Sequence, residues 1–220
     1  MIGIIDYGVG NLRSVQKALE RVGAHAVILP TPQSVSDVDK LILPGVGAFA
    51  DGMAKLHEGD WVEWIHAFIA TGKPMLGICL GMQLLFESST EDAPSDDQPV
   101  VGLGVLPGRV VRFDVEHATG DGHVQRIKVP HMGWNTLEWT REDPLLNGLE
   151  QGSAVYFVHS YYCVPTEDAA TDPITSAVTE YPQGTPFTST AHHENVWATQ
   201  FHPEKSQRVG AAMLKNFASL

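Results

Sequence analysis

One short segment has the residue types needed for nucleophilic catalysis. Cys79 lies in the frame Gly77-Ile78-Cys79-Leu80-Gly81, after an apolar run that predicts a buried strand, and Met82 to Glu87 predicts the start of a helix. Small flanking residues let the chain turn sharply and present the sulfur outward, as in the Gly-x-Ser-x-Gly elbow of serine hydrolases. Oriented N–H groups at the helix start favour a thiolate and bind an oxyanion. The alternative is a buried, inert cysteine.

A second segment, near the C-terminus, supplies the other groups that a nucleophilic cysteine needs. His202 and Glu204 follow the apolar strand predicted at residues 196–201. An imidazole takes and returns the proton, and a carboxylate fixes its tautomer. Pro203 favours an extended chain, in which residues two apart share a face. We therefore expect Glu204 at one ring nitrogen of His202 and Cys79 at the other. The alternative is a solvated strand end.

These two segments resemble the class I glutamine amidotransferases, which carry a Gly-x-Cys-x-Gly elbow and a His-Pro-Glu sequence near the C-terminus. Five segments are also similar to one branch of that family, the glutaminase subunits of imidazole glycerol phosphate synthases; they are residues 4–15, 44–49, 130–135, 157–161 and 200–206. The departures are an acidic segment from Glu91 to Gln98 and Ala198, where many members have glycine. Neither touches the predicted triad.

The resemblance implies a reaction and a partner. Cys79 attacks glutamine, His202 protonates the departing ammonia, and water hydrolyses the γ-glutamyl thioester to glutamate, with Glu204 orienting His202. The ammonia passes to a cyclase subunit that makes imidazole glycerol phosphate in histidine biosynthesis, so a heterodimer is expected. No metal or organic cofactor is expected.

The resemblance also implies roles for residues outside the triad. The turn Pro44-Gly45-Val46-Gly47 exposes amides with little obstruction, and an amide at Val46 or Gly47 is expected to form the oxyanion hole with the N–H of Leu80. The remaining roles are substrate contacts by Gly47, Gln83 and Ser160, and partner contacts by Asn11, Trp134 and Lys205.

Other functions stay open from the sequence. Another synthase's glutaminase would share the triad, and only residues 6–11 and 133–135 argue against it. A stand-alone γ-glutamyl hydrolase or cysteine peptidase would need no partner, and a non-enzymatic scaffold is disfavoured by the triad. A dinucleotide loop at Gly8-Val9-Gly10 lacks the third Rossmann glycine, because position 13 is Arg13. The histidines lack a zinc-site spacing.

Composition limits the class of protein further. The 220 residues contain 14 Lys and Arg against 26 Asp and Glu, a net charge of −12, which disfavours nucleic acid and anionic membranes as partners. Cys79 and Cys163 are the only cysteines, and counting alone leaves a disulfide between them open. No leader sequence and no membrane-length apolar stretch is seen, so a cytoplasmic location is expected.

The elements that position these residues alternate in the first half of the chain. Strands are predicted at residues 1–5, 26–29 and 40–43, and helices at about 12–22 and 60–70. This alternation predicts one α/β domain, residues 1–220, with an open, mostly parallel sheet flanked by helices. After Val105, shorter strands predict antiparallel additions, among them residues 125–129, and a helix closes the chain at 207–217. Residues 88–99 are expected to form a solvated loop.

Overall fold

The computed structural model describes residues 1–32, 38–95, 98–118, 124–166, 173–182 and 185–220. The strands are β1 (Ile2–Ile5), β2 (Ala26–Leu29), β3 (Lys40–Gly45), β4 (Met75–Cys79), β5 (Phe86–Ser89), β6 (Val100–Val101), β7 (Leu106–Arg112), β8 (Glu116–Ala118), β9 (Val124–Arg126), β10 (His131–Thr136), β11 (Glu138–Trp139), β12 (Ala154–His159), β13 (Tyr161–Pro165), β14 (Thr175–Glu180), β15 (Pro186–His193) and β16 (Val196–Thr199). The helices are α1 (Leu12–Arg21), α2 (Phe49–Glu58), α3 (Trp61–Ile69), α4 (Leu80–Leu84) and α5 (Gln207–Ser219), with short 3-10 turns at Pro144–Leu146 and Pro203–Lys205.

Parallel strands form the half of the main sheet that carries Cys79. Their order is β2-β1-β3-β4-β16, and each neighbouring pair runs parallel. Strands β1, β4 and β16 are buried along their whole length, as expected when helices cover both faces of a parallel sheet. Gly45 of β3 pairs with Cys79 of β4, so two predicted site segments leave the sheet together at its carboxyl edge.

Antiparallel strands extend the same sheet on the other side of β16. Strand β15 pairs with β16, β13 and β14, while β13 also pairs with β7 and β14 with β11. Strand β5 is an exception, because it runs parallel to β7. A separate two-stranded ribbon is formed by β10 and β12, and β8 pairs with β9. The β10–β12 ribbon brings residues 131–136 beside residues 154–159.

Helices lie on both faces of the parallel half. On one face, α1 and α5 bury apolar residues against the strands, namely Val15, Leu19, Met213, Leu214 and Phe217. On the other face, α2 and α3 contribute Phe49, Leu56, Trp61 and Ile65. The predicted fold class, a mostly parallel α/β sheet with antiparallel additions, is confirmed. None of the described helices has both the length and the apolar character needed to cross a bilayer.

Several local predictions were wrong. The helix after the elbow runs from Leu80 to Leu84 and not from Met82 to Glu87, because Phe86–Ser89 forms β5 and pairs with β7. Tertiary pairing outweighs the helical pattern there. Helix α2 was not predicted, and residues 130–135, for which no strand was predicted, contain most of β10. The strand expected at 125–129 is Val124–Arg126. In the predicted loop 88–99, Ser88 and Ser89 belong to β5.

Candidate active site

The elbow holds Cys79 in a strained backbone conformation. Its φ is 55° and its ψ is −109°, a region that residues other than glycine rarely adopt and that occurs mainly at functional sites. The two flanking glycines explain the turn. A Cβ on Gly81 would lie 1.8 Å from the carbonyl oxygen of Leu43, and a Cβ on Gly77 would lie 2.8 Å from the carbonyl oxygen of Gly81. Only glycine lets α4 pack this closely on β3 and β4.

Cys79 lies at the wall of a cavity of about 300 Å³. The residue is 6% exposed, and Nε2 of the fully buried Gln200 lies 3.9 Å from its Sγ, at hydrogen-bond distance for sulfur. Cys163 is a free thiol as well, so no disulfide joins the pair. Burial raises the pKa of Cys163 well above its ordinary value, and the nearby Cys79 adds to this. Of the two cysteines, only Cys79 therefore has an accessible side suited to chemistry.

His202 and Glu204 form a buried pair beside this cavity. Nδ1 of His202 lies 2.8 Å from Oε1 of Glu204, and the two side chains are 3% and 2% exposed. The predicted contact is present, but its predicted cause was wrong. Residues Pro203–Lys205 form a 3-10 turn, not an extended chain, and this turn folds Glu204 back toward the ring. The Ser206 hydroxyl donates to the carbonyl of His202 at 2.7 Å and fixes the turn.

The second nitrogen of His202 is the unoccupied end of this pair. Its Nε2 is buried and has no hydrogen-bond partner among the described residues, while both His202 and Cys79 line the cavity. Burial lowers the pKa of His202, but the neighbouring Cys79 sulfur and the Glu204 carboxylate outweigh burial and raise it to about 9. At neutral pH the oriented ring therefore carries a proton on Nε2, which can pass to a leaving group at the nucleophile.

The residues predicted for the oxyanion hole lie at the same cavity. Val46, Gly47 and Leu80 all line it, and Gly47 has a φ of 106°. A Cβ on Gly45 would lie 2.5 Å from the Tyr7 hydroxyl and 2.8 Å from Cβ of Leu80. The turn after β3 therefore packs directly on the start of α4, which places the backbone amides of both segments near Cys79.

Two predicted substrate contacts, Gln83 and Ser160, also line the cavity. Nε2 of Gln83 donates to the carbonyl of Tyr161 at 2.9 Å and to Oε1 of Gln200 at 3.2 Å. Both amide hydrogens of Gln83 are therefore used inside the protein, and its Oε1 is the atom left for a ligand.

Sequence reasoning missed two residues of the site. Gln200, described above, lies in the similar segment 200–206, but the sequence assigned it no role. Glu91 lines the cavity, and its Oε2 accepts a hydrogen bond at 2.8 Å from the N–H of Phe49 at the start of α2. Burial raises the pKa of Glu91, and this hydrogen bond opposes the rise. The acidic segment was visible in the sequence, but the anchor of Glu91 lies 42 residues away.

The residues predicted to contact a partner are exposed. Trp134 is 49% exposed, and two other apolar side chains, Met132 of the same strand and Val46 at the cavity wall, are 57% and 41% exposed. Asn11 and Lys205 are exposed as well, and Asn11 caps α1 by accepting from the Ser14 N–H at 3.3 Å. Within the described ranges, no cluster of three or more His, Cys, Asp or Glu side chains is arranged to hold a metal ion.

Comparisons with known proteins place this chain in one family. The family model for glutamine amidotransferase class I matches residues 3–219. An imidazole glycerol phosphate synthase subunit HisH from Syntrophotalea carbinolica is 50% identical over 222 residues, covering all of both chains. A subunit of the same name from Geobacillus thermodenitrificans is 48% identical and covers 100% of this chain and 96% of its own.

Solved structures agree on the fold. A crystal structure of a glutamine amidotransferase superposes with a TM-score of 0.69 at 19% identity, covering 100% of this chain and 99% of the other. A chain of PurLQS from Thermotoga maritima gives a TM-score of 0.68 at 18% identity, covering 98% and 94%.

The chain belongs to the class I glutamine amidotransferase family. Within that family it is similar over its full length to the HisH subunits of imidazole glycerol phosphate synthases.

Proposed function

We propose that this chain is the glutaminase subunit of an imidazole glycerol phosphate synthase. It hydrolyses glutamine to glutamate and ammonia and supplies the ammonia to a cyclase subunit in histidine biosynthesis. One observation carries the chemical part of this proposal: the strained Cys79 and the unoccupied Nε2 of His202, a ring oriented by Glu204, face one cavity of about 300 Å³. Full-length similarity to HisH subunits supports the choice of synthase.

The proposed reaction uses two acyl transfers at Cys79. The proton of Cys79 resides on Nε2 of His202, and the thiolate Sγ bonds to the side-chain carbonyl carbon of glutamine. The C–N bond then breaks, and ammonia leaves with the proton from His202. Water next loses a proton to His202 and attacks the thioester, which releases glutamate and restores the Cys79 thiolate beside the protonated His202. The N–H of Leu80 and a loop amide at Val46 stabilise both oxyanions, each amide by about 3 kcal/mol.

Substrate binding follows from the other groups at the cavity. The Glu91 carboxylate is the acidic group available for the α-ammonium of glutamine, while Ser160, Gly47 and Oε1 of Gln83 supply neutral contacts. The anchoring of Glu91 to the Phe49 amide keeps its carboxylate at the cavity wall. Charge and size together fit a small zwitterion better than a peptide.

A cyclase partner is proposed at the cavity mouth. Ammonia released into water protonates and loses its nucleophilicity, so a sealed route to the second active site is needed. The exposed apolar side chains of Val46, Met132 and Trp134, with Asn11 and Lys205, are the proposed contacts. Apolar and aromatic groups of this kind are enriched at the centres of protein interfaces.

The test follows glutamate release by the chain alone, with the cyclase subunit, and with the cyclase and an analogue of its substrate. We expect a poor glutaminase alone and strong activation in the full complex, since one additional oxyanion donor is worth about 10²–10³ in rate. Equal rates in all three mixtures would defeat the coupling and favour a stand-alone hydrolase.

A covalent label tests the nucleophile in the same preparation. A diazoketone analogue of glutamine is expected to modify Cys79 and leave the buried Cys163 unmodified, with protection by glutamine. Modification of Cys163 to the same extent in folded protein would refute the assignment.

A further inference from the structure

Two buried histidines outside the triad face each other across the β10–β12 ribbon. His131 and His159 are register partners and are 4% and 6% exposed. Nδ1 of His131 lies 3.1 Å from Nε2 of His159. The ring of His131 stacks between those of Phe157 and Tyr181. Burial lowers the pKa of His131 to about 4 and that of His159 to about 3. Both rings are therefore neutral at pH 7.

The hydrogen bonds of this pair fix both tautomers. Nδ1 of His159 lies 2.8 Å from the carbonyl oxygen of Tyr161, which only accepts, so that nitrogen carries the proton. Nε2 of His159 must then accept from Nδ1–H of His131. Nε2 of His131 in turn accepts from the side-chain amide of Asn135 at 3.3 Å. All three donors point the same way, from Asn135 toward Tyr161.

The two ends of this hydrogen-bond chain lie at different parts of the molecule, one at the cavity and one on an exposed strand. At one end, the Tyr161 carbonyl also accepts from Gln83, and Tyr161 and Gln83 line the cavity of Cys79. At the other end, Asn135 belongs to β10, the strand that exposes Met132 and Trp134. Along β10 the exposed Met132 and Trp134 alternate with the buried His131 and the half-buried Gly133 and Asn135.

We propose that Asn135, His131 and His159 form a directed hydrogen-bond chain that positions the Tyr161 carbonyl, and through it Gln83, from the exposed strand β10. His131 and His159 are thus positioning residues of the glutamine pocket. A contact that shifts β10 also shifts the carbonyl that holds Gln83. This inference rests on the proposed function, which defines the pocket and the docking strand.

The tautomers can be read directly and without an activity assay. In protein labelled with ¹⁵N-histidine, long-range ¹H–¹⁵N spectra distinguish the Nδ1–H from the Nε2–H form of each neutral ring. We expect His131 and His159 both to be Nδ1–H, with assignment by single His→Phe variants. An Nε2–H form at either residue would break the direction of the chain and overturn the proposal.

Kinetics of the complex with the cyclase test the positioning role. His131→Phe keeps an aromatic ring between Phe157 and Tyr181 but removes the donor to His159. We expect it to raise the KM for glutamine by about tenfold, as for one lost buried hydrogen bond, while ammonia-dependent synthesis stays unchanged. His131→Asn retains an amide donor near the Nδ1 position and is expected to restore part of the affinity.

Phe187→Leu is the matched control. Phe187 packs against both histidine rings but takes part in no link of this chain, so its replacement is expected to lower the melting temperature without changing the KM. Equal KM values for His131→Phe and wild type would overturn the proposal. Equal KM increases in His131→Phe and Phe187→Leu would also overturn it, because the histidine pair would then contribute only packing. A wild-type complex that releases no glutamate would refute the proposed function instead, and the tautomer spectra would still decide the chain.

Discussion

The described part of the molecule contains two histidine–carboxylate pairs of similar geometry and different chemistry. In the cavity pair, His202 Nδ1 lies 2.8 Å from Oε1 of Glu204, and in the second pair His192 Nδ1 lies 3.3 Å from Oδ2 of Asp143. In the second pair Asp143 is buried and His192 is partly exposed, and the His192 ring stacks on Trp197 of β16 at a centroid distance of 4.2 Å. A histidine next to a buried carboxylate is therefore not by itself the mark of a catalytic site.

The difference lies in what the remaining polar atoms contact. Nε2 of His192 lies 2.8 Å from the carbonyl of Glu194, whereas Nε2 of His202 and Oε2 of Glu204 have no partner within the part of the chain that the structure describes. Asp143 is bonded further, by three donors besides His192; they are the Leu145 N–H at 2.8 Å, the Trp197 Nε1–H at 3.1 Å and the Ser176 hydroxyl at 2.6 Å. Saturated bonding makes the Asp143 pair structural, and the unoccupied nitrogen of His202 makes it available for catalysis.

The largest expected effect separates the two histidines by activity. His202→Asn removes the proton carrier and is expected to lower kcat for glutamine by about 10³, while ammonia-dependent synthesis by the cyclase complex persists. His192→Asn is the matched control, and it is expected to reduce stability but leave kcat unchanged. Steady-state glutamate release and thermal unfolding of both variants make the comparison. Similar losses of kcat in the two variants would erase the distinction.

The next largest effect concerns stability and the Asp143 pair. Asp143→Asn leaves buried donors without their carboxylate and is expected to lower the free energy of unfolding by about 3 kcal/mol. Asp51→Asn, which removes an exposed partner of Lys55, is the control and is expected to cost about 0.5 kcal/mol or less. Urea unfolding at pH 7 measures both. A small loss for Asp143→Asn would mean that its network adds little to stability.

The sequence predicted the parts of the site that depend on local chemistry. The Gly-x-Cys-x-Gly frame and the His-Pro-Glu sequence each hold their signal within five residues, and the alternation of strands and helices predicted the parallel sheet whose strand β4 carries Cys79. Positions 77 and 81 require glycine, because a Cβ at either one would clash with neighbouring backbone atoms. Local sequence therefore sufficed to predict the fold class and to select Cys79 and His202, which line one cavity.

The parts that were missed depend on contacts between distant segments. The hydrogen-bond network of Asp143 could not be predicted, because its partners Ser176 and His192 lie 33 and 49 residues away along the chain. Strand β10 was not predicted because its apolar residues, Met132 and Trp134, face outward while His131 faces inward, which reverses the usual pattern. Such positions can be found only once the strands are paired.

Glu204→Gln tests the cavity pair through its pH dependence. The folded-state pKa of His202, about 9, lies above its ordinary value of 6.5. The stability from this shift is therefore fully present below pH 6.5 and is lost as the pH rises through about 9. Because Glu204 is one cause of the raised pKa, the variant is expected to lose about 1–2 kcal/mol near pH 6 and less near pH 10. Unfolding measured at both values checks this, and a loss that grows with pH would contradict it.

The smallest expected effect comes from removing one hydroxyl, that of Ser176, from the hydrogen bonds of Asp143. Burial raises the pKa of Asp143, but hydrogen bonds from His192, Ser176 and Leu145 outweigh burial and lower it. Its stabilisation is therefore present above the ordinary carboxyl range and is lost as the pH falls through the lowered folded-state pKa. Ser176→Ala is expected to cost about 1 kcal/mol at pH 7 and to move the acid-unfolding midpoint to higher pH.

Ser189→Ala is the control for this last change. Ser189 is equally buried, but its hydroxyl donates to the carbonyl of Ala177 at 3.0 Å and not to a carboxylate. We expect a comparable loss at neutral pH, because each variant removes one buried hydrogen bond, and a smaller displacement of the acid midpoint. Equal displacements in the two variants would show that the Ser176 bond acts only as packing and does not help to keep Asp143 ionised. A larger displacement for Ser176→Ala would assign the low pKa of Asp143 to the hydrogen bonds that distinguish its pair from that of Glu204.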